Sequence, residues 1–385
     1  MIPLSTPNIF GKEKEYIEKC LETGWISTSG SFIEDFEKNL SSYVGSKFAI
    51  ACINGTSALQ VSLKLLGVNS GDEVIAPTLT FIASINSIMY NNAYPVFMDC
   101  DQFYNLDIKK TVKFIKDETY FKSGFTYNKK TDRKIPVIMP VHVWGNAVWL
   151  DELVPLCNER NIKILEDASE SLGTKYLEGN YINKHAGTVG EIGCISFNAN
   201  KIITSGGGAM IITDNQEIAE KALYLTTQAK DDAKRYIHND VGYNFRLTNI
   251  HAALGIAQLE NIESVLTNKQ KAHMTYVDKI NKIDGLSISP TPSYSFNNCW
   301  LNILRVDKSK IEITIDQIME KLEMKNIQTR PVWGLNHLQK PFVNYQRYMV
   351  ENAQILADSS LCIPSSSHLT IQNIEDVTAA LQDLL

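Results

Sequence analysis

Two residues of this chain have types and settings that can carry covalent chemistry: Lys201 and Asp167. Lys201 lies in Ile195-Ser-Phe-Asn-Ala-Asn-Lys-Ile-Ile-Thr-Ser-Gly-Gly-Gly-Ala-Met-Ile-Ile-Thr213, between two short apolar runs that read as strands and just ahead of a glycine cluster. An amine set among buried strands loses hydration, which favours its neutral, nucleophilic form. That form attacks a carbonyl to make a Schiff base. The segment alone also fits a surface lysine beside a hairpin turn at Gly206 to Gly208, because the chain has 37 Lys and Arg and most such residues are solvated.

The run Ile162-Lys-Ile-Leu-Glu-Asp167 reads as a buried strand of a parallel sheet that ends in two carboxylates. Ligands of open α/β sheets bind beyond the carboxyl ends of the strands, which is where Asp167 falls. By itself Asp167 could equally cap the next helix. Together the two residues match the needs of pyridoxal phosphate: a lysine for its aldehyde, and an acid that keeps its pyridine nitrogen protonated as an electron sink. A seat for the phosphate is available in Asn54-Gly-Thr-Ser57, a polar turn between the strand-like Phe48 to Ile53 and the apolar-faced helix Ala58 to Leu66. Such a turn offers free N–H groups, hydroxyls and the positive end of a helix dipole, although the same residues also serve as a plain helix cap. Neither G-x-x-x-x-G-K-[ST] nor G-x-G-x-x-G occurs, so a triphosphate loop and a dinucleotide fingerprint are not supported.

The elements that must position these residues alternate along the chain. Helical patterns around Gly11 to Leu21 and Ile33 to Tyr43 follow a loop-rich arm. After Phe48 come strand-like Glu73 to Pro77, helical Ile82 to Tyr90, and strand-like Pro95 to Asp99 and Ile135 to Val143. Helical Leu150 to Arg160 and the Asp167 strand follow. This alternation predicts a mostly parallel sheet between helices, an α/β fold. Asp117 to Lys134 interrupts it as a polar and aromatic surface excursion. From Ile250 one long helical pattern runs into an α+β tail with a strand at Trp300 to Val306 and helices near Thr314 to Lys325 and Ile374 to Leu384.

Motifs along nearly the whole chain carry a resemblance. They are Gly24-Trp25 through Gly30, Phe36-Glu37, Asn54-Gly-Thr-Ser-Ala-Leu59, Pro77-Thr-Leu-Thr-Phe81, Val141-His-Val-Trp-Gly145 and Glu166-Asp-Ala168. Ser196-Phe197 with Lys201, Gly242-Tyr-Asn-Phe-Arg246 and Thr329-Arg-Pro331 complete the set. In this order they resemble the DegT/DnrJ/EryC1/StrS sugar aminotransferases, fold-type I enzymes dependent on pyridoxal phosphate. The resemblance implies a mostly parallel seven-stranded sheet flanked by helices, with residues 1–250 as a large cofactor domain carrying an N-terminal arm. Residues 251–385 would form a linking helix and a small C-terminal α+β domain. It further implies that Lys201 forms the internal Schiff base and Asp167 pairs with the pyridine nitrogen. Gly55, Thr56 or Ser57, and Ser196 would hold the phosphate, with Asn244 reaching it from the second subunit of a homodimer, and Phe81 would stack on the cofactor. Read without the resemblance, Phe81 is simply a core phenylalanine.

Two departures stand out. Where many members have glutamine near the cofactor's phenolic oxygen, this chain has Glu170; a carboxylate there repels a phenolate unless one of them is protonated, so Glu170 either holds a proton or turns away. The family's frequent Thr-Gly-Glu-Gly-Gly is replaced by Ser205-Gly-Gly-Gly-Ala209. Glu166-Asp-Ala-Ser-Glu170, the Gly206 to Gly208 cluster, Thr226 to Asp232 and Gln328-Thr-Arg-Pro-Val-Trp333 with His337 together resemble the branch that aminates C4 of UDP-4-keto-6-deoxy-N-acetylhexosamines for bacillosamine and legionaminic-acid-type pathways. Related members act on GDP-4-keto-6-deoxymannose or dTDP-keto-sugars, at C3 or C4. In the implied reaction L-glutamate donates its amino group, pyridoxamine phosphate is the intermediate cofactor form, and Lys201 shuttles the proton. His142, Arg330, Trp333 and His337 are candidates for the sugar pocket; each histidine is as readily a hydrogen-bonded structural side chain.

Other function classes fit less well. The family resemblance implies that a dehydratase of the same fold would carry histidine in place of Lys201, and a member without chemistry would have no need of both Asp167 and Lys201. The net charge of −6 and the absence of a long basic run argue against nucleic acid. Seven scattered cysteines without C-x-x-C spacing fit reduced thiols, with no metal site. No apolar run reaches membrane-spanning length and the N-terminus lacks a signal pattern, so a cytoplasmic location is expected.

Overall fold

Eight strands build the large sheet: β1 (Phe48–Cys52), β2 (Glu73–Pro77), β3 (Tyr94–Met98), β4 (Val137–Ile138), β5 (Lys163–Asp167), β6 (Ile192–Ser196), β7 (Ala209–Thr213) and β8 (Arg347–Tyr348). Their spatial order is β1-β7-β6-β5-β4-β2-β3-β8. The computed structural model describes residues 1–232 and 234–384; Leu385, the last residue of the expected small domain, lies outside the described residues. Strand β7 is antiparallel to both of its neighbours, and every other adjacent pair is parallel. Strands β1 to β6 therefore all point one way. Their carboxyl ends, and the segment 197–208 that turns from β6 back into β7, gather along a single edge.

The parallel strands are apolar on both faces, as burial between helical layers requires. Every residue of β2, β6 and β7 is buried. Helix Gly55–Leu65 lays Ala58, Leu59 and Val61 into the same core as Ile50, Cys194 and Ile211. Each buried Leu, Val or Ile among them stabilises the fold by roughly 2 kcal/mol. On the other side Phe36, from helix Ser31–Val44, packs against Phe197 with ring centroids 4.9 Å apart. That contact props up the start of the Lys201 segment.

A second, four-stranded antiparallel sheet orders Leu286–Ile288, Asn302–Val306, Ser360–Ile363 and Arg330–Pro331. The chain ends cross the boundary expected at residue 250. Ile2 of the arm bridges to Ile327, while β8 of the C-terminal part adds an eighth strand to the large sheet beside β3.

Three local differences from the sequence reading have physical causes. The expected strand Ile135 to Val143 shrinks to Val137–Ile138, because Pro136 and Pro140 have no N–H to give the ladder. Both proline carbonyls still accept, from Lys163 N at 2.8 Å and Asp167 N at 2.9 Å. The long helix from Ile250 is two helices, Asn249–Leu259 and Ile262–Ile280; at the break Asn261 turns its side-chain amide back onto the Ala257 carbonyl (3.0 Å). The excursion at Asp117 to Lys134 contains a hairpin, Thr119–Lys122 with Phe125–Asn128, closed by Ser123 and Gly124, both at positive φ. Among the described residues no helix is long and apolar enough to cross a membrane.

Candidate active site

A cavity of about 590 Å³ opens along the carboxyl edge of the large sheet, with its far wall supplied by the small sheet. That is the size of a small-molecule site. Asp167 ends β5, Ser196 ends β6, and Phe81 follows β2; Lys201 comes from the β6–β7 turn, and Trp300, Leu301 and Arg330 come from the small-sheet side. Lys201 is the one amine among the described residues lining it.

Asp167 is buried and oriented from two sides. Its Oδ2 accepts from Ser84 Oγ at 2.7 Å and its Oδ1 from Ser169 N at 3.1 Å. Lys201 Nζ stands 3.5 Å from Glu170 Oε1, and Glu170 Oε2 accepts from Trp144 N at 2.7 Å. Glu170 has thus not turned away. Burial is the main cause that pushes its carboxyl up to about 7, with the Asp167 charge adding to it, and the Lys201 amine and the Trp144 N–H act in the opposite direction. Trp144 donates that N–H from a left-handed backbone (φ 52°), a conformation that costs a bulky residue energy and that its buried surroundings must enforce.

Between its ordinary value of 4.5 and about 7 the folded protein binds more protons at Glu170 than the unfolded chain does, so stability falls as pH rises through that window. Glu170→Gln keeps an acceptor for Trp144 N–H and cannot ionise. In the cofactor-free protein it is expected to be more stable than wild type at about pH 8, by on the order of 3 kcal/mol, with most of that difference gone at about pH 5. Urea unfolding at the two pH values checks this; a difference that does not change with pH would contradict it.

At the helix start, Asn54 Oδ1 takes the Ser57 N–H (2.8 Å), which leaves the amides of Gly55 and Thr56 unused by the cap. A Cβ on Gly55 would lie 3.3 Å from Ser196 Cβ and 3.4 Å from the Ser169 and Ser196 hydroxyl oxygens. Glycine therefore lets two hydroxyls close on a helix N-terminus, a cradle whose donors suit a phosphate dianion. Gly55, Thr56 and Ser196 line the cavity, whereas Ser57 is buried beneath it. With an amine, a held carboxylate and an anion cradle around one space, the residues present fit pyridoxal phosphate.

Of the remaining candidates, Phe81, Arg330 and Trp333 line the cavity; the Phe81 and Trp333 ring centroids are 6.2 Å apart, and Phe81 is 53% exposed, so it is no core residue. Asn244 is exposed and does not line the cavity, lying on the strip that runs beside the end of β1. Neither histidine is in the pocket. His142 is fully buried, with Nε2 2.8 Å from Glu166 Oε2 and Nδ1 accepting from Val148 N at 3.0 Å, so the ring proton sits on Nε2 and points to the carboxylate. Burial alone would raise the Glu166 carboxyl, but His142 and the N–H groups of Gly190 and Gly187 hold it below its ordinary value. This buried cluster fixes the strand end from which Asp167 projects. His337 is bound to Thr78 Oγ1 through Nδ1 at 2.7 Å and pins the Trp333 segment to the end of β2. Residues the sequence did not single out complete the site: Ser84, Ser169, and Trp300, whose ring lies under Lys201 Nζ. A serine on a helix and a tryptophan heading an apolar strand carry no signature of their own.

A lysine and a carboxylate across one cavity at the carboxyl edge of a mainly parallel sheet, beside amides and hydroxyls that suit a phosphate, make a site of the kind pyridoxal phosphate requires. The chain belongs to the DegT/DnrJ/EryC1/StrS aminotransferase family, which it matches over residues 7–382. It is 34% identical to the GDP-perosamine synthase of Caulobacter vibrioides, covering 100% of this chain and 98% of that protein. With EpsN of Bacillus subtilis, a putative pyridoxal phosphate-dependent aminotransferase, it shares 33% identity over 96% of this chain and 92% of that one. Its fold is that of the aminotransferase TlmJ from Streptoalloteichus hindustanus, with a TM-score of 0.87 at 22% identity over 100% of this chain and 98% of the other.

Proposed function

We propose that this enzyme transfers the amino group of L-glutamate to C4 of a nucleotide-linked 4-keto-6-deoxy sugar, and that the sugar is UDP-4-keto-6-deoxy-N-acetylglucosamine. The observation that carries the transfer is the single cavity into which both Asp167 and Lys201 project. When bound, pyridoxal phosphate supplies the carbonyl that takes up the donor nitrogen and a cationic ring that withdraws electrons from the carbon losing its proton. Asp167, its oxygens held by Ser84 and Ser169, keeps a proton on the ring nitrogen. Gly55, Thr56 and Ser196, which line the cavity, would anchor the phosphate, and Phe81, on its rim, would supply the aromatic face for the cofactor ring. With the cofactor bound, Lys201 would be the base that moves the proton from the α-carbon of glutamate to the cofactor's C4′ carbon, and in the opposite direction when the keto-sugar is the partner. Arg330 and Trp333 form the sugar side of the cavity. A homodimer fits the exposed Trp25, Tyr236 and Val241, and would bring Asn244 of a second copy to the phosphate.

The N-acetylhexosamine reading is supported by Glu-Asp-Ala-Ser-Glu170, Gly206 to Gly208 and Gln328 to Trp333. A second reading, GDP-4-keto-6-deoxymannose, is favoured by the name of the Caulobacter relative. Purified enzyme incubated with glutamate and a panel of UDP-, GDP- and dTDP-linked 4-keto-6-deoxy sugars, scored by mass, separates them. Amination of the UDP-N-acetylhexosamine with at least about tenfold preference in kcat/KM, roughly 1.4 kcal/mol, is expected. A preference for the GDP-hexose would replace the sugar and keep the transfer.

A further inference from the structure

The small sheet brings an aromatic ring to the reacting amine. Lys201 Nζ lies 3.8 Å from the ring centroid of Trp300, which is 4% exposed. The residue is held at three points, one on the ring and two on its main chain. Its Nε1–H donates to the carbonyl of Asn200, the residue before the lysine, at 2.7 Å. The Trp300 N–H donates to Asn298 Oδ1 at 2.9 Å. The Trp300 carbonyl accepts from Lys269 Nζ at 3.0 Å, and Lys269 also donates to the Ser365 carbonyl at 2.7 Å. Lys269 is itself buried and both of these partners are main-chain carbonyls; burial pushes its amine down to about 8. A cation is an expensive strut in such a place unless the carbonyl it holds must not move.

We propose that Trp300 is a positioning residue for Lys201: its indole face is the seat that receives the amine when the amine is not bonded to cofactor. The negative face of the indole attracts an ammonium, most strongly where water is excluded, and Glu170 Oε1 faces the same Nζ at 3.5 Å. A free lysine side chain has about 2 kcal/mol of rotamer entropy to spread over its conformers. The ring and the carboxylate confine it next to the carbons between which it must move protons. Because the Nε1 bond runs to Asn200, ring and lysine segment move together even though they belong to different sheets. This inference rests on Lys201 being the amine of the transfer.

The test uses cofactor-free full-length protein and acetic anhydride as the probe, with acylation of Lys201 followed by peptide mass. Trp300→Leu is expected to speed Lys201 acylation by about tenfold near neutral pH, because the cation has lost its aromatic partner. Trp300→Phe, which keeps an aromatic face but loses the Nε1 bond to Asn200, is expected to fall between wild type and Trp300→Leu, and the exposed Lys14 to be unchanged in both. The Lys201 ratio is expected to fall toward one as pH rises past about 11, above the ordinary lysine value of about 10.4. An unchanged Lys201 rate in Trp300→Leu, or a rise that persists at high pH and so reports mere access, would overturn the proposal. Should Trp300→Leu not fold, Lys201→Met in the wild-type background decides: an indole difference spectrum that disappears in Lys201→Met with Trp300→Phe supports the contact, and no difference spectrum refutes it. These readouts need no turnover. If no keto-sugar is aminated while Lys201 acylation still follows Trp300, the function has failed and the seat has not.

Discussion

Lys201→Ala is expected to lower turnover by about four orders of magnitude, because it removes both the covalent partner of the cofactor and the proton carrier between two carbons. The loss should be specific. Asp167, Ser196 and the amides of Gly55 and Thr56 are untouched, so the cofactor still binds by its phosphate and ring nitrogen. Single-turnover mixing with glutamate, followed by the cofactor's absorbance, separates binding from proton transfer. An added small primary amine is expected to restore part of the rate, since only a base of the right kind is missing. Turnover within tenfold of wild type would remove Lys201 from its assigned role.

Asp167→Asn is expected to cost roughly a hundred- to a thousandfold in turnover, the scale of losing one preorganised electrostatic contact to a developing charge. The substitution is close in shape, but an amide cannot stabilise a protonated ring nitrogen by charge. Its NH2 end cannot accept from Ser169 N at 3.1 Å, and turned toward Ser84 Oγ it forces that hydroxyl to reverse from donor to acceptor, with Thr80 Oγ1 as the alternative partner for its proton. The loss should appear in the proton-transfer step of both half-reactions, with cofactor affinity reduced much less. Equal loss in kcat/KM for glutamate and for keto-sugar is the signature; a defect confined to one substrate would assign Asp167 to binding that substrate.

The sequence was informative where chemistry and regular pattern coincide. Strands β2, β6 and β7 are continuous apolar runs, and the stop of β5 at Asp167 follows from its switch to carboxylates. Lys201 was legible because it sits between two such runs, and Gly55 because a helix pattern begins at once after it. Contacts between distant parts of the chain were not legible. Trp300 reads locally as the start of a strand, and its ring reaches Lys201 only because the small sheet closes over the large one. Ser84 joins the site from the middle of a helical pattern that shows no polar signal. The two histidines show the reverse case. Residue type made His142 and His337 attractive as pocket residues, yet His142 spends both ring nitrogens on Glu166 and Val148, and His337 spends its Nδ1 on Thr78. Such partners depend on tertiary placement, which spacing along the chain does not encode. Elements broken by proline or by a side chain competing for the backbone, as at Pro136, Pro140 and Asn261, were overlong in the sequence reading for the same reason: hydrophobic period is blind to where the hydrogen bonds go.

The most direct measurement is where the cofactor attaches. Protein loaded with pyridoxal phosphate, treated with borohydride and digested, is predicted to carry the reduced pyridoxyl mark on the peptide containing Lys201, at close to one per chain, and to lose it in Lys201→Ala. A mark on any other lysine, or protein that binds the cofactor and remains unmarked, would contradict the account.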